Sequence, residues 1–309
     1  MSVKIRIVIF LCSFFSLCFT QSFQTEVLSK PFLFRTDSLL VQRNVPLEIS
    51  RPSWKDPIVN MPETWTGWYN REFSIDKIPL YAGIAVVTAG LIVTDYDSYI
   101  AVRKIHEKNY AFRKFSEYSE FMGQGWFQFG IAGIFAIHGL YTDNNKSLQT
   151  ASQTVEVILT CGVVIQTLKH ITGRETPILA TSPTGIWRFF PNQFDYIKNV
   201  PKYDAFPTGH LATATATLTV IMDNYPDQKW IPYIGYPAIG CIGLAMVGQG
   251  IHWWSDYPLG IAIGYSFAKV VTGRHLKQFD NGVSSVLRPE IGITVLGRTT
   301  PGIKFIWHL

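Results

Sequence analysis

In the run GLAMVGQGIHWWSDYPLG, residues 243–260, His252 and Asp256 stand four residues apart among apolar neighbours. Polar groups in such surroundings need a partner or a task. At that spacing the two share one face where the helix continues so far. An imidazole that donates one ring N–H to a carboxylate is held in a single tautomer, and its other nitrogen can attack phosphorus while the carboxylate supports the imidazolium formed. Two other stretches carry complementary groups. LKHITGRETP holds Lys169 and Arg174 as sources of positive charge. FPTGHLATATA holds His210, a candidate acid for a leaving alkoxide. There Thr208 is placed to cap a helix that opens at Gly209, leaving its first N–H groups free for a phosphate oxygen.

These residues must be positioned by six apolar segments, roughly 79–94, 124–141, 153–169, 209–222, 231–250 and 257–272. Ala, Leu, Ile and Gly dominate them, and Pro or Gly marks several ends, as expected for helices. In an up-and-down bundle, the end of the third, the start of the fourth and the junction of fifth and sixth lie on one face. Lys169, His210, His252 and Asp256 then converge. The chain of 309 residues is 47% hydrophobic and 16% charged, against about 25% charged in an ordinary soluble domain. That shortage points to the membrane or the cell envelope. Three or four of the charge-free stretches are long enough to span a bilayer. The net charge of +5 suits anionic lipid or phosphate; no basic cluster interleaved with aromatics points to nucleic acid.

The remaining parts read as accessories. Residues 1–20 have the basic start and thirteen-residue apolar core (Ile7–Phe19) of a signal peptide, with an uncleaved anchor as the other reading. Residues 21–78 form a Trp-rich extension, whose Trp54, Trp65 and Trp68 suit either a membrane interface or packing onto the main domain. Residues 79–273 are the helical core. Residues 274–309 are a tail in which Ile291, Ile293 and Val295, then Ile303, Phe305 and Trp307, alternate like a β-hairpin. Cys161 and Cys241 fall in apolar segments as buried thiols, without metal-ligand spacing. His138 and His170 read as satisfied structural histidines.

The three motif stretches resemble the signature of the type 2 phosphatidic acid phosphatase superfamily, which includes bacterial class A acid phosphatases and vanadium haloperoxidases. Its pattern is K-x6-R-P, then P-S-G-H, then S-R-x5-H-x3-D, and the resemblance covers about residues 79–273. It implies an all-α, membrane-associated six-helix phosphatase core, to which the sequence adds the hairpin-like tail. By this likeness His252 is the nucleophile, Asp256 its orienting carboxylate and His210 the general acid. Lys169, Arg174, Thr208 and Gly209 bind the substrate phosphate. The implied activity is metal-independent hydrolysis of a phosphomonoester or lipid (pyro)phosphate through a phosphohistidine, with no cofactor or metal.

Four positions depart from the pattern. Thr176 stands for the first-motif arginine, Thr208 for the serine, and Ala245 and Met246 for the third-motif Ser-Arg. One charged contact in such a site contributes about 2–4 kcal/mol to the transition state. Two missing guanidiniums therefore leave a second reading open, a non-catalytic envelope protein that keeps the scaffold. An arginine restored at Met246 is expected to raise the rate of a competent site. Basic residues gather in the connections on the site's face, among them Arg103, Lys104, Arg188 and Lys202. The positive-inside rule alone places that face in the cytoplasm, whereas bacterial relatives act outside it. The expected location is the bacterial envelope with the catalytic face periplasmic, and the expected partners are the membrane and a phosphorylated lipid or small phosphoester.

Overall fold

The computed structural model describes residues 49–287, 290–296 and 300–306, with side chains described through residue 274. The expected signal segment and residues 21–48 lie outside the described residues. Two short helices open the described chain, α1 (Asp56–Val59) and α2 (Met61–Glu72), each with a proline in its first turn, where the missing N–H costs no hydrogen bond. Trp65 and Trp68 of α2 pack on the main bundle. Trp68 stacks on Phe267 at 4.6 Å and donates to Ser266 at 2.7 Å, and Trp65 donates to the Thr160 carbonyl. Of the two readings for this extension, packing holds for both. Trp54 remains exposed.

The six apolar segments lie within α3 (Ile78–Lys108), α5 (Gly125–Tyr141), α6 (Asn145–Thr172), α8 (Gly209–Asn224), α9 (Trp230–Gln249) and α10 (Tyr257–Leu287). Besides α1 and α2, two more helices were not expected, α4 (Tyr110–Gly123) and α7 (Gln193–Lys198). The sequence of α4 carries Arg113, Lys114, Glu117 and Glu120 and reads as a polar connection, yet Asn109 caps its first turn by accepting from Phe112 N–H. Asn192 caps α7 in the same way. Beyond α10, strands β1 (Glu290–Leu296) and β2 (Thr300–Ile306) pair antiparallel, with Ile293 opposite Ile303.

Helix α8 is the centre of the bundle. Its sequence, HLATATATLTV, alternates small residues, and Leu211 through Thr217 are all buried. The threonine hydroxyls are satisfied locally where they bond back to the preceding turn, as Thr219 does to the Thr215 carbonyl at 2.8 Å. Small side chains let α10 approach closely. A Cβ on Gly264 would lie 2.0 Å from the Ala212 carbonyl oxygen, and one on Gly260 would lie 2.5 Å from that of Thr208. Gly264→Ala is therefore expected to push α10 off α8 and destabilise the fold by at least about 1–3 kcal/mol. A thermal melt that does not move would contradict the close approach.

Apolar clusters flank α8 on both sides. One gathers Tyr99, Leu211, Ile242, Met246, Trp253 and Tyr257; the other gathers Val157, Ile165, Ala216, Ile263 and Phe267. A polar tie crosses the second side, where Arg274 pairs with buried Glu156 at 2.8 Å and both hydrogen-bond Thr64. The outer surfaces are strongly apolar. Val86 and Val93 on α3, Ile134 and Ile137 on α5, and Tyr233 and Ile234 on α9 are exposed. Three helical stretches, Ile75–Lys108, Asn145–Thr172 and Trp230–Gln249, are long and apolar enough to cross a bilayer. The chain is membrane-associated.

Candidate active site

Lys169 ends α6, whose chain reverses at Gly173 in the left-handed conformation (φ 54°). His210 is in the first turn of α8. His252 follows Gly250, which closes α9 at φ 80°, and Asp256 ends the 3-10 turn that leads into α10. The three motif stretches thus meet at one end of the bundle, as the helix order required. The rings of His210 and His252 lie edge to face with centroids 5.6 Å apart.

His252 is fully buried, and its Nδ1 lies 2.7 Å from the Ala205 carbonyl oxygen. A carbonyl can only accept, so this contact assigns the proton to Nδ1 and the lone pair to Nε2. Nε2 itself is buried and has no hydrogen-bond partner in the structure. Burial, then the charge of Lys169 and the neighbouring His210, hold the His252 pKa well below the usual histidine value. The imidazole is neutral, with an unshared pair on an unoccupied nitrogen.

Asp256 does not orient His252 by a hydrogen bond, which corrects one expectation. Its Oδ2 is 3.6 Å from Nδ1 and instead accepts from the Trp253 backbone N–H at 2.7 Å. The reason is local: the 3-10 turn wraps the carboxylate back onto its own first N–H, so the i, i+4 geometry of a continuous helix never forms. Asp256 is near enough to stabilise a positive ring, but the Ala205 carbonyl fixes the tautomer. Burial pushes the Asp256 pKa up to about 6 against the opposing pull of Arg174.

A second correction concerns Arg174, expected to hold phosphate. Its guanidinium is fully buried and committed. It donates to Asp256 at 2.5 Å, Ser255 at 2.6 Å, Asp95 at 2.8 Å and the Thr184 carbonyl at 2.8 Å, and it lies over the rings of Trp187 and Trp253, 4.8 and 5.4 Å from their centres. Ser255 also donates to Asp95. One cation between two buried carboxylates is a structural clamp, joining α3 to the turn that carries Asp256. Asp95 and Ser255 escaped the sequence reading. An aspartate in the apolar α3 was the signal that could have found them.

Lys169 lies at the same end of the bundle. Its ammonium pairs with Asp204 at 2.7 Å and sits beside the first residue of α8: a Cβ on Gly209 would come within 3.9 Å of it. Asp204 also accepts from the Tyr196 hydroxyl at 2.6 Å. Thr208 caps α8, accepting from the Leu211 N–H at 3.5 Å, and its own N–H bonds the Asp256 carbonyl. His210 is partnered by Glu120 of α4, with Nε2 3.4 Å from the carboxylate; this contact holds the Glu120 pKa below its ordinary value. Glu120, Asp204 and the Ala205 carbonyl lie outside every motif and were not found from sequence.

At the positions of the missing arginines there is no compensating charge among the described residues. Met246 is fully buried in the apolar cluster with Leu211, Trp253 and Tyr257. Thr176 is buried with its hydroxyl unpartnered. Of the basic residues in the connection between α6 and α8, Arg188 pairs with buried Glu175 at 2.6 Å, and Lys202 faces Asp195 at 3.9 Å. His170 bonds Gln193 and stacks on Tyr196, and His138 meets Ser147 at 3.1 Å, so both are structural. Cys161 and Cys241 are free thiols, the first buried.

A family model described as the PAP2 superfamily matches residues 151–280, the stretch that holds Lys169, His210, His252 and Asp256. Over that stretch the chain is similar to the PAP2 superfamily. No curated protein matches the chain. Among solved structures, the crystal structure of the first transmembrane PAP2 type phosphatidylglycerolphosphate phosphatase from Bacillus subtilis is similar at 14% identity. It covers 74% of this chain and 98% of that one at a TM-score of 0.40, a likeness too distant to carry an argument. The PAP2 match begins at residue 151, so α3 and α4, which supply Asp95 and Glu120, lie outside it.

Proposed function

We propose that this protein is a phosphatase that hydrolyses a phosphomonoester or lipid (pyro)phosphate through a phosphohistidine. The observation that carries the reading is the His252 imidazole, neutral, fixed at Nδ1, and open at a buried Nε2 beside His210 and Lys169. In the first step the Nε2 lone pair forms a bond to phosphorus. The bond from phosphorus to the leaving oxygen breaks, its electron pair departs with that oxygen, and His210 supplies the proton. Asp256, 3.6 Å from Nδ1, stabilises the positive ring that results. In the second step His210 takes a proton from water as the water oxygen bonds phosphorus, and the P–N pair returns to Nε2. Lys169 and the free N–H groups at the start of α8, beginning at Gly209, offer the positive surface for the phosphate oxygens. The nucleophile is the imidazole itself, so the scheme calls on no metal.

The purified full-length protein should release inorganic phosphate from phosphatidic acid or a prenyl pyrophosphate without added metal. A rapid quench should trap acid-labile phosphate on histidine. Because the His252 pKa is held low, the nucleophile stays unprotonated into mildly acidic solution. The acid limb of kcat/KM is then expected below pH 6.5, and a limb at or above an ordinary histidine value would contradict the buried neutral ring.

A second reading, a non-catalytic envelope protein on the same scaffold, is favoured by Met246 and Thr176 and by the commitment of Lys169 to Asp204. It predicts no turnover on any phosphoester. For location we propose the bacterial envelope with the site on the periplasmic side, after removal of residues 1–20. Alkaline phosphatase fusions at the residue 225–229 connection and at the 173–208 connection would report the two faces.

A further inference from the structure

Asp204 puts a negative charge where a phosphatase needs positive ones. Its carboxylate is part-exposed and lies against Lys169, and its charge reaches the buried His252. The positive groups near it are few. Arg174 is spent on Asp95 and Asp256, Arg188 on Glu175, and Met246 and Thr176 bring no charge. Lys169 is left, and Asp204 already neutralises it. Asp204 also meets Tyr196 of α7, with His170 of α6 stacked on it, and its backbone bridges that of Arg174, while His252 and the His210–Glu120 pair lie across the site. With His210 protonated, the groups lining the opening sum to about zero, two cations against two carboxylates. A doubly charged phosphate gains little there.

The carboxylate itself has room for one more donor. An ionised carboxylate offers about four lone-pair positions, and Asp204 uses one for the Lys169 ammonium and one for the Tyr196 hydroxyl. A phosphate oxygen that carries a proton can fill a third. An unprotonated oxyanion in the same place meets an acceptor with an acceptor and loses.

We propose that Asp204 is a specificity-determining residue that makes this site select a protonated, singly charged phosphate group, by accepting a hydrogen bond from its P–OH beside Lys169. This rests on the reading of the site as a phosphate site, but not on turnover.

The test compares two oxyanions of the same shape. Near pH 6 inorganic phosphate is largely singly charged and carries a proton, whereas sulfate is doubly charged and carries none. Binding of each to the full-length protein in detergent at pH 6, by calorimetry, isolates the proton because His210 is in the same state for both. Wild type should bind phosphate at least about tenfold more tightly than sulfate, a difference of about 1.4 kcal/mol. Asp204→Asn, which loses the charge and gains an N–H donor, should bring the two within about threefold by strengthening sulfate. Asp204→Glu should keep the wild-type preference and shows that the loss is not one of folding. Equal affinities in wild type, an unchanged ratio in Asp204→Asn, or no binding of either ion would overturn the proposal. A protein that discriminates as expected yet hydrolyses no phosphoester would overturn the phosphatase reading and leave Asp204 as the selector of a binding site.

Discussion

His252→Ala should abolish turnover, by a factor on the order of 10⁴ or more, because its buried, unpartnered Nε2 is the nucleophile of the proposed scheme. The fold should persist, since the lost partner is one backbone carbonyl, that of Ala205, at the edge of the site. His210→Ala should cost less, about 10²–10⁴-fold, because water can deliver the leaving-group proton slowly. The two losses should not add, as each residue acts on the same bond. Phosphate release together with trapped phosphohistidine separates them: His252→Ala gives neither, while His210→Ala gives a labelled intermediate with slowed formation and decay. Activity that survives His252→Ala would sink the phosphohistidine scheme.

Arg174→Ala should act on stability first. Removing the guanidinium leaves Asp95 and Asp256, both fully buried, without their shared cation. Breaking a buried pair from one side costs about 3–5 kcal/mol, and here two carboxylates are stranded at once. Arg174→Lys should rescue little, because an ammonium cannot span Asp95, Asp256 and the Thr184 carbonyl while lying over two indoles. Thermal melts of wild type, Arg174→Ala and Arg174→Lys decide the matter. A direct phosphate ligand would instead raise KM with the melt unchanged, and that outcome would return Arg174 to the role its motif position suggested.

The contrast between those two residues explains what could be read in the sequence. Lys169, His210 and His252 stand out in the sequence because each sits in a short motif at the end of an apolar segment, and helix order then brings the ends together. Arg174 sits in a motif too, but the motif could not show that Asp95 reaches it from α3, seventy-nine residues earlier. Its role is set by that long-range carboxylate. The same holds for Glu120. Nothing in NYAFRKFSEYSEFMG marks the glutamate that faces His210, because the helix is amphipathic and polar by composition. The expected His252–Asp256 bond failed for a different cause. It assumed a continuing helix, and the chain takes a 3-10 turn through Trp254–Asp256 instead. The bundle itself was legible from the spacing of six apolar segments. The helices α4 and α7, short and polar, were not.

Helix α3 has one more property. From Ile78 to Val93 its surface is apolar and largely uncovered, and at Asp95 it enters the buried clamp. Seventeen residues separate Ile78 from Asp95, a rise of about 25 Å along a helix, close to the thickness of a bilayer's hydrocarbon layer. A bilayer that took up this apolar length would bring the Arg174 clamp level with one of its surfaces. Since that clamp grips the turn beside His252, the same placement would set the Nε2 of the proposed nucleophile at the height of the lipid headgroups. A phosphate on an anchored lipid would meet it without being lifted out of the leaflet.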